Sequence, residues 1–382
     1  MRNVLKGFMK DLDNGISIAL SGGGVRAMAF HTGVLRYLAE KRCLENISEI
    51  SSVSGGSLLI GLIFSKSKMS WPTSVEYLDN TRNLIKGELT RKNIQGTAIL
   101  YAIYPWNWKF ILSRANIVAK VIRNKWGVHG TLGSIPKIPS WSINCTTAET
   151  GRRFRFRDGG FGDYETGYAN ANDFSLAAAM SVSAAFPVGI GPYSLNVSKF
   201  KWLKRNYWNS KEESAVQLPY KRLHLYDGGV YDNLGLESFF DIGTGMAKKG
   251  KNIIVSDAGS PFSRRFDLSP LNPLRISHLM SVMMDQNRSL RVRNFVEAVK
   301  RSNVGAYIGI SRSKNIDEAI AQMKGGQTEN SSWLEKSEVD YVCTFSTSLG
   351  KLSEADFDKI ERHGYETAKI TNIAFPYLKK EN

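Results

Sequence analysis

Ser54, in Ser52-Val53-Ser54-Gly55-Gly56, is the side chain of this sequence most exposed to a chemical reading. A β-branched, apolar lead-in from Ile47 stops at the serine, small residues flank it, and a long apolar run reaches Phe64. This is the pattern of a nucleophile elbow, G-x-S-x-G, where a strand turns sharply into a helix and lifts a hydroxyl into the open. The strained turn leaves no room for side chains beside the nucleophile, so its neighbours must be small. Ser52 replaces the first glycine of the strict pattern and is still small, although an ordinary loop can also read Ser-Gly-Gly-Ser. Upstream lies Ser21-Gly22-Gly23-Gly24-Val25-Arg26. Consecutive glycines at a helix start leave N–H groups uncovered where the helix dipole favours negative charge. Such a loop can cradle a phosphate, form an oxyanion hole or simply turn the chain. No Lys-Ser or Lys-Thr follows to complete a Walker A loop, and three adjacent glycines are not G-x-G-x-x-G. With a candidate nucleophile one βα unit later, the oxyanion reading gains most.

The elements that must hold these residues follow from periodicity. GISIAL, from Gly15 to Leu20, reads as a buried strand, residues 27–41 as an apolar-periodic helix, and residues 47–53 as the strand that delivers Ser54. Strand, glycine turn, helix and strand make the front of a βαβ unit. Residues 252–257, NIIVSD, predict another core strand, and 275–301 a long helix. At 382 residues, with 42% hydrophobic and 23% charged side chains, the chain is a folded protein with a sizeable core. No internal repeat or low-complexity linker divides it, so a single domain, 1–382, is expected. Cys43, Cys145 and Cys343 are odd in number and far apart, which suits a reducing compartment. The first residues lack the apolar core of a signal peptide, and no apolar run is long enough to cross a bilayer. The expectation is a cytoplasmic protein, peripheral on membranes.

SGGGVRA followed by SVSGGS resembles the patatin-like phospholipase family, whose glycine-rich loop, G-G-G-x-R-[GA], precedes its serine elbow in this order. The resemblance implies a three-layer α/β/α sandwich with a mainly parallel central sheet. It also implies a Ser–Asp dyad, with the aspartate in a downstream Asp-Gly-Gly or Asp-Gly-Ala. The chain offers two such motifs, Asp158-Gly159-Gly160 and Asp227-Gly228-Gly229. The family places an alanine-rich helix and a proline before its dyad motif, and Leu176 to Pro187 fills that part ahead of Asp227 but after Asp158. Asp227 is therefore the expected partner, supported by Gly228 and Gly229, and Asp158 a turn residue. The implied chemistry is acyl transfer, with Ser54 attacking a phospholipid ester and Asp227 as base. Gly22, Gly23 and Gly24 would form the oxyanion hole, Gly55 could add an N–H, and Arg26 would support the loop or attract lipid phosphate. No cofactor or metal is expected, and no calcium-loop spacing is visible.

Between the motifs, two segments at about 67–139 and 192–222 read as basic and aromatic insertions. Trp106, Trp108 and Lys109 in the first, and Trp202, Lys204 and Arg205 in the second, suit a membrane interface. A net charge of +16 favours an anionic phospholipid surface as partner. A nucleic-acid partner is not expected, because no binding motif accompanies the charge. A protein or nucleotide activator stays open. Two rival readings remain: an α/β-hydrolase with a Ser–Asp–His triad using His278 or His363, and a non-catalytic membrane- or nucleic-acid-binding protein on the same fold.

Overall fold

The computed structural model describes residues 15–187, 189–205, 212–248, 252–261, 274–311 and 333–378. In chain order, β1 (Ile16–Leu20) feeds α1 (Gly24–Glu40), and β2 (Ile47–Val53) feeds α2 (Gly55–Lys66). Then come α3 (Arg82–Arg91), α4 (Ile94–Ile103), a 3-10 turn (Pro105–Phe110) and α5 (Ala115–Lys125). The chain re-enters the sheet as β3 (Ser140–Thr147), β4 (Arg153–Arg157), β5 (Gly160–Asp163) and β6 (Gly167–Asn170), then forms α6 (Leu176–Ser183). β7 (Tyr193–Asn196), β8 (Trp202–Arg205), β9 (Glu213–Ala215) and β10 (Arg222–Asp227) follow. The last elements are β11 (Ile253–Asp257), α7 (Leu274–Ser302), β12 (Gly305–Gly309), α8 (Lys336–Thr344) and α9 (Glu354–Ala374).

The sheet runs β12-β11-β1-β2-β3-β4-β5-β6-β8-β9, with β10 and β7 branching from β3. Pairings from β12 to β3 are parallel, as an α/β fold with crossover helices requires, and those beyond β3 are antiparallel. The expected α/β architecture with its parallel centre is what forms. Parallel strands bury both faces, so β1 is almost wholly apolar and β11 opens on Ile253-Ile254-Val255 and is buried along its whole length. Ile18 and Leu20 face the larger core, with Phe30, Leu59 and Phe357, whereas Ala19 faces a second core closed by Phe295 of α7. Those two cores, one on each face, are the physical content of the three layers. Residues 192–222 supply β7, β8 and β9, so this segment is part of the sheet.

β2 ends at Val53, in register with Asn144 of β3, and its chain leaves the sheet there. β10 arrives antiparallel along the same edge of β3 and ends at Asp227, in register with Cys145. Neighbouring positions on β3 are separated by about 3.3 Å. The two strands therefore terminate against each other, with Ser54 following one end and Asp227 closing the other.

Candidate active site

Ser54 sits at φ 50° and ψ −119°, the left-handed conformation that a non-glycine residue adopts only under constraint. The constraint is visible. Its N–H donates to the carbonyl oxygen of Ser183 at 3.1 Å and to Ser183 Oγ at 3.0 Å, while its own carbonyl accepts from Leu58 N–H at 2.9 Å, starting α2. Below the elbow a buried hydroxyl network joins Trp141 Nε1 to Ser52 Oγ, Ser52 to Ser57, and Ser57 to Ser183, each at 2.8 Å. Buried polar groups of this kind are tolerated because each is satisfied.

The same end of α6 holds Asp227. Its N–H donates to Ala185 O at 3.0 Å, and Gly228 N–H donates to Ser183 O at 3.3 Å. Residues 183–185 thus anchor Ser54 and Asp227 together, which is the structural use of the alanine-rich helix. Asp227 is buried, its Oδ1 accepts Gly229 N–H at 2.7 Å, and the Ser54 hydroxyl is near enough to favour its charged form. Burial raises its pKa from 3.8 to about 7, against the pull of the Gly229 N–H and the Ser54 hydroxyl. A carboxyl poised near neutrality is a competent general base.

The glycine loop faces this pair. Gly23 and Gly24 have φ of 141° and 60°, and a Cβ on Gly24 would stand 2.3 Å from Ser348 O, so glycine is required there. Gly22 corrects an expectation: its N–H is engaged by Asn233 O at 3.1 Å and is not turned to the cavity. The N–H groups of Gly23, Gly24 and Gly55 meet no acceptor among the described residues. They sit where α1 and α2 begin, so two helix N-termini converge on the space in front of Ser54. Arg26 is turned inward. Its Nε and Nη2 donate to Ala258 O, its Nη1 to Phe345 O, and burial lowers its pKa to about 10. It holds the loop to the segments after β11 and α8, and its donors are not turned to a lipid phosphate.

A cavity of about 650 Å³ opens above Ser54 and Asp227. Its lining includes apolar side chains from Ala98, Ile99 and Ala102 of α4 and Ile117 and Val118 of α5, together with Met284 and Arg288 of α7. Arg288 is held by Asp257, with Nε 2.8 Å from Oδ2, and Tyr307 OH donates to the same oxygen at 2.6 Å.

Other expected residues fall elsewhere. Asp158 is an exposed turn residue at φ 52°, paired with Arg157 and bonded by Ser140 at the start of β3, the far end of the strand from Cys145. Neither His278 nor His363 lines the cavity. His363 is buried, with Nε2 2.7 Å from Ile310 O, so the triad reading has no histidine in place. Trp106 and Trp108 are 66% and 59% exposed, and Lys109 is exposed. Trp202 is a correction: it is buried against Phe161, its Nε1 donating to Val197 O at 3.1 Å, because β8 turns that side chain into the core. Lys204 and Arg205 are exposed, and residues 206–211 lie outside the described residues. Sequence reasoning missed Ser183, Asn233 and the Asp257–Arg288–Tyr307 cluster. Asp257 had a signal, a polar residue at the carboxyl end of a core strand, where α/β folds place their sites. Arg288 and Ser183 had none, since each sits in a plain helical pattern.

The patatin-like phospholipase family model matches residues 18–240, and the chain belongs to that family. No curated protein matches it in sequence. Among solved structures, human GIVD cytosolic phospholipase A2 is similar at a TM-score of 0.53 and 10% identity, which supports the fold. The match covers 96% of this chain and 63% of the human one, so this chain spans under two thirds of that protein's length. VipD from Legionella pneumophila matches at a TM-score of 0.40 and 15% identity, covering 94% of this chain and 67% of VipD.

Proposed function

We infer that this protein is a serine lipid acyl hydrolase that cleaves fatty acyl esters of membrane phospholipids through Ser54 and Asp227. The observation that carries this reading is the buried Asp227 carboxyl beside a serine on a strained elbow, both lining one largely apolar cavity. Ser54 Oγ attacks the ester carbonyl carbon as its proton passes to Asp227. The oxyanion of the tetrahedral intermediate meets the N–H groups of Gly23, Gly24 and Gly55, donors worth about 2.7 to 4 kcal/mol each in acyl transfer. Collapse expels the alcohol, which takes the proton from Asp227 and leaves an acyl-serine. Water then attacks that ester with Asp227 again accepting the proton, and the fatty acid departs as Asp227 returns that proton to Ser54 Oγ.

The surface around the mouth supports a membrane as the source of substrate. Ile99, Leu100 and Ile103 of α4 and Trp106, Trp108, Ile111 and Leu112 between α4 and α5 are exposed, as are Lys109 and, on α5, Lys120, Arg123 and Lys125. α7, which also lines the cavity, exposes Ile276, Leu279, Met283 and Leu290, one stripe at helical spacing. Apolar and aromatic side chains ringed by cations suit an anionic bilayer surface. No helix of the described residues is long and apolar enough to cross a membrane.

The test is fatty acid release from vesicles of mixed phosphatidylcholine and phosphatidylglycerol. Ser54→Ala and Asp227→Asn should abolish release, and Asp158→Asn should retain it. Retained turnover in Asp227→Asn would sink the dyad, and an inert wild type that still binds vesicles would favour the binding-only alternative.

A further inference from the structure

Residues 345–352 join α8 to α9 and lie outside the span matched by the family model. Their main chain meets the glycine loop directly. Ser348 O accepts Val25 N–H at 2.9 Å, Phe345 O accepts Arg26 Nη1, and Gly24 packs against the Ser348 carbonyl without space for a Cβ. The bond to Val25 sets the direction of the loop, because a peptide whose N–H is turned to Ser348 constrains the peptides of Gly23 and Gly24 before it.

The same segment is latched to the cavity wall. Gln95, in the first turn of α4, donates its main-chain N–H to Leu349 O at 2.9 Å, and its Oε1 accepts Leu349 N–H at 3.1 Å. Leu352 N–H adds a bond to Leu89 O at 2.9 Å. Ile99, Leu100 and Ile103, on the same helix as Gln95, are exposed. A short main-chain path therefore runs from this outward face through Gln95, Leu349 and Ser348 to Val25.

We propose that Gln95 is a positioning residue: through residues 345–352 it ties the oxyanion loop to α4, so that seating α4 on a lipid surface holds the Gly23 and Gly24 donors in line. This rests on the hydrolase reading above. Gln95 lines the cavity beside Ser348 and Leu349, and the role proposed for it is exerted through those two residues. A local role, in which Oε1 merely satisfies one buried N–H, would leave Val25 untouched.

The experiment uses the full chain with Gln95→Met, which keeps the length and loses the acceptor, and Gln95→Glu, which keeps an acceptor oxygen. Amide hydrogen exchange is followed at Val25 with and without phosphatidylglycerol-containing vesicles, beside kcat and KM on a soluble short-chain nitrophenyl ester. Losing one hydrogen bond in the latch should speed Val25 exchange about fivefold in Gln95→Met and lower kcat about as much, with KM kept. Vesicles should slow Val25 exchange in the wild type and in Gln95→Glu but not in Gln95→Met, and Gln95→Glu should restore kcat. Exchange faster only at residues 94–97 and 349, with Val25 unchanged, overturns the proposal. A wild type without esterase activity that keeps the exchange pattern would sink the hydrolase reading and leave the latch standing. An active wild type with unchanged kcat in Gln95→Met would sink the latch alone.

Discussion

Replacing Asp227 by asparagine should remove turnover and, above neutrality, stabilise the fold. The carboxyl is buried, and its pKa stands at about 7 in the folded chain against 3.8 in an ordinary setting. Between those values the folded state keeps a proton that the unfolded chain has lost, so stability falls as pH rises through this window. Above about pH 7 the folded protein carries the full cost of a buried carboxylate, roughly 4 kcal/mol for that displacement. Asparagine is neutral and nearly isosteric. Its Oδ1 can accept Gly229 N–H as the carboxylate does, and its Nδ2 can donate to Ser54 Oγ. With an unfolding entropy of about 2.1 cal/mol/K per residue, that energy corresponds to a rise in Tm of about 5 °C for Asp227→Asn near pH 8. Near pH 5 the expected gain shrinks to roughly 2 kcal/mol, near pH 4 to under about 1 kcal/mol, and it vanishes only well below pH 3.8. The assay is a thermal melt of both proteins across pH 4 to 9, in which all other titrations cancel in the difference. In parallel, kcat/KM of the wild type should climb about tenfold per pH unit below neutrality and level off above about pH 7. A Tm difference independent of pH, or an asparagine variant less stable than wild type at pH 8, would refute the buried-base argument.

Other consequences are as direct. Ser54→Gly should stabilise the fold by roughly 1 kcal/mol, because glycine occupies φ 50° without strain, and should abolish hydrolysis; denaturant unfolding and vesicle turnover read the two effects. Gly24→Ala places a Cβ 2.3 Å from Ser348 O, so a destabilisation of about 2 kcal/mol or more and a large fall in kcat are expected, measured by the same assays. Trp106→Ala and Trp108→Ala should each weaken vesicle co-sedimentation with stability within about 0.5 kcal/mol of wild type, since both rings are exposed. Trp202→Ala should cost about 3 to 5 kcal/mol of stability through loss of core packing. Equal stability losses in Trp106→Ala and Trp202→Ala would contradict this division of surface from core.

Much of the site was legible along the chain because its chemistry is local. The elbow at Ser54 is a strand-to-helix turn, the glycine loop is a helix start, and both are written in consecutive small residues whose backbone needs no distant partner to be recognised. The parallel centre of the sheet was legible for the same reason, since β1, α1 and β2 alternate in one βαβ unit. The choice of Asp227 over Asp158 came from motif order, and tertiary structure shows its physical cause. Asp227 ends a strand that takes over the edge β2 abandons, whereas Asp158 turns the chain at the opposite end of β3.

Orientation and long-range pairing were decided only by the tertiary structure. Trp202 stands in a basic, aromatic stretch like that of Trp106, yet β8 places one ring in the core and the turn before α5 leaves the other in the open. Gly22 shares its composition with Gly23 and Gly24, but only packing against Asn233 engages its N–H. The Ser348 carbonyl and the Gln95 side chain have no local signature, because their work is done on residues hundreds of positions away in the chain. Residue type and near-neighbour spacing determined what chemistry this protein can attempt; which donors, walls and surfaces serve it depends on contacts between distant segments, and those form only when two cores close on the two faces of one sheet.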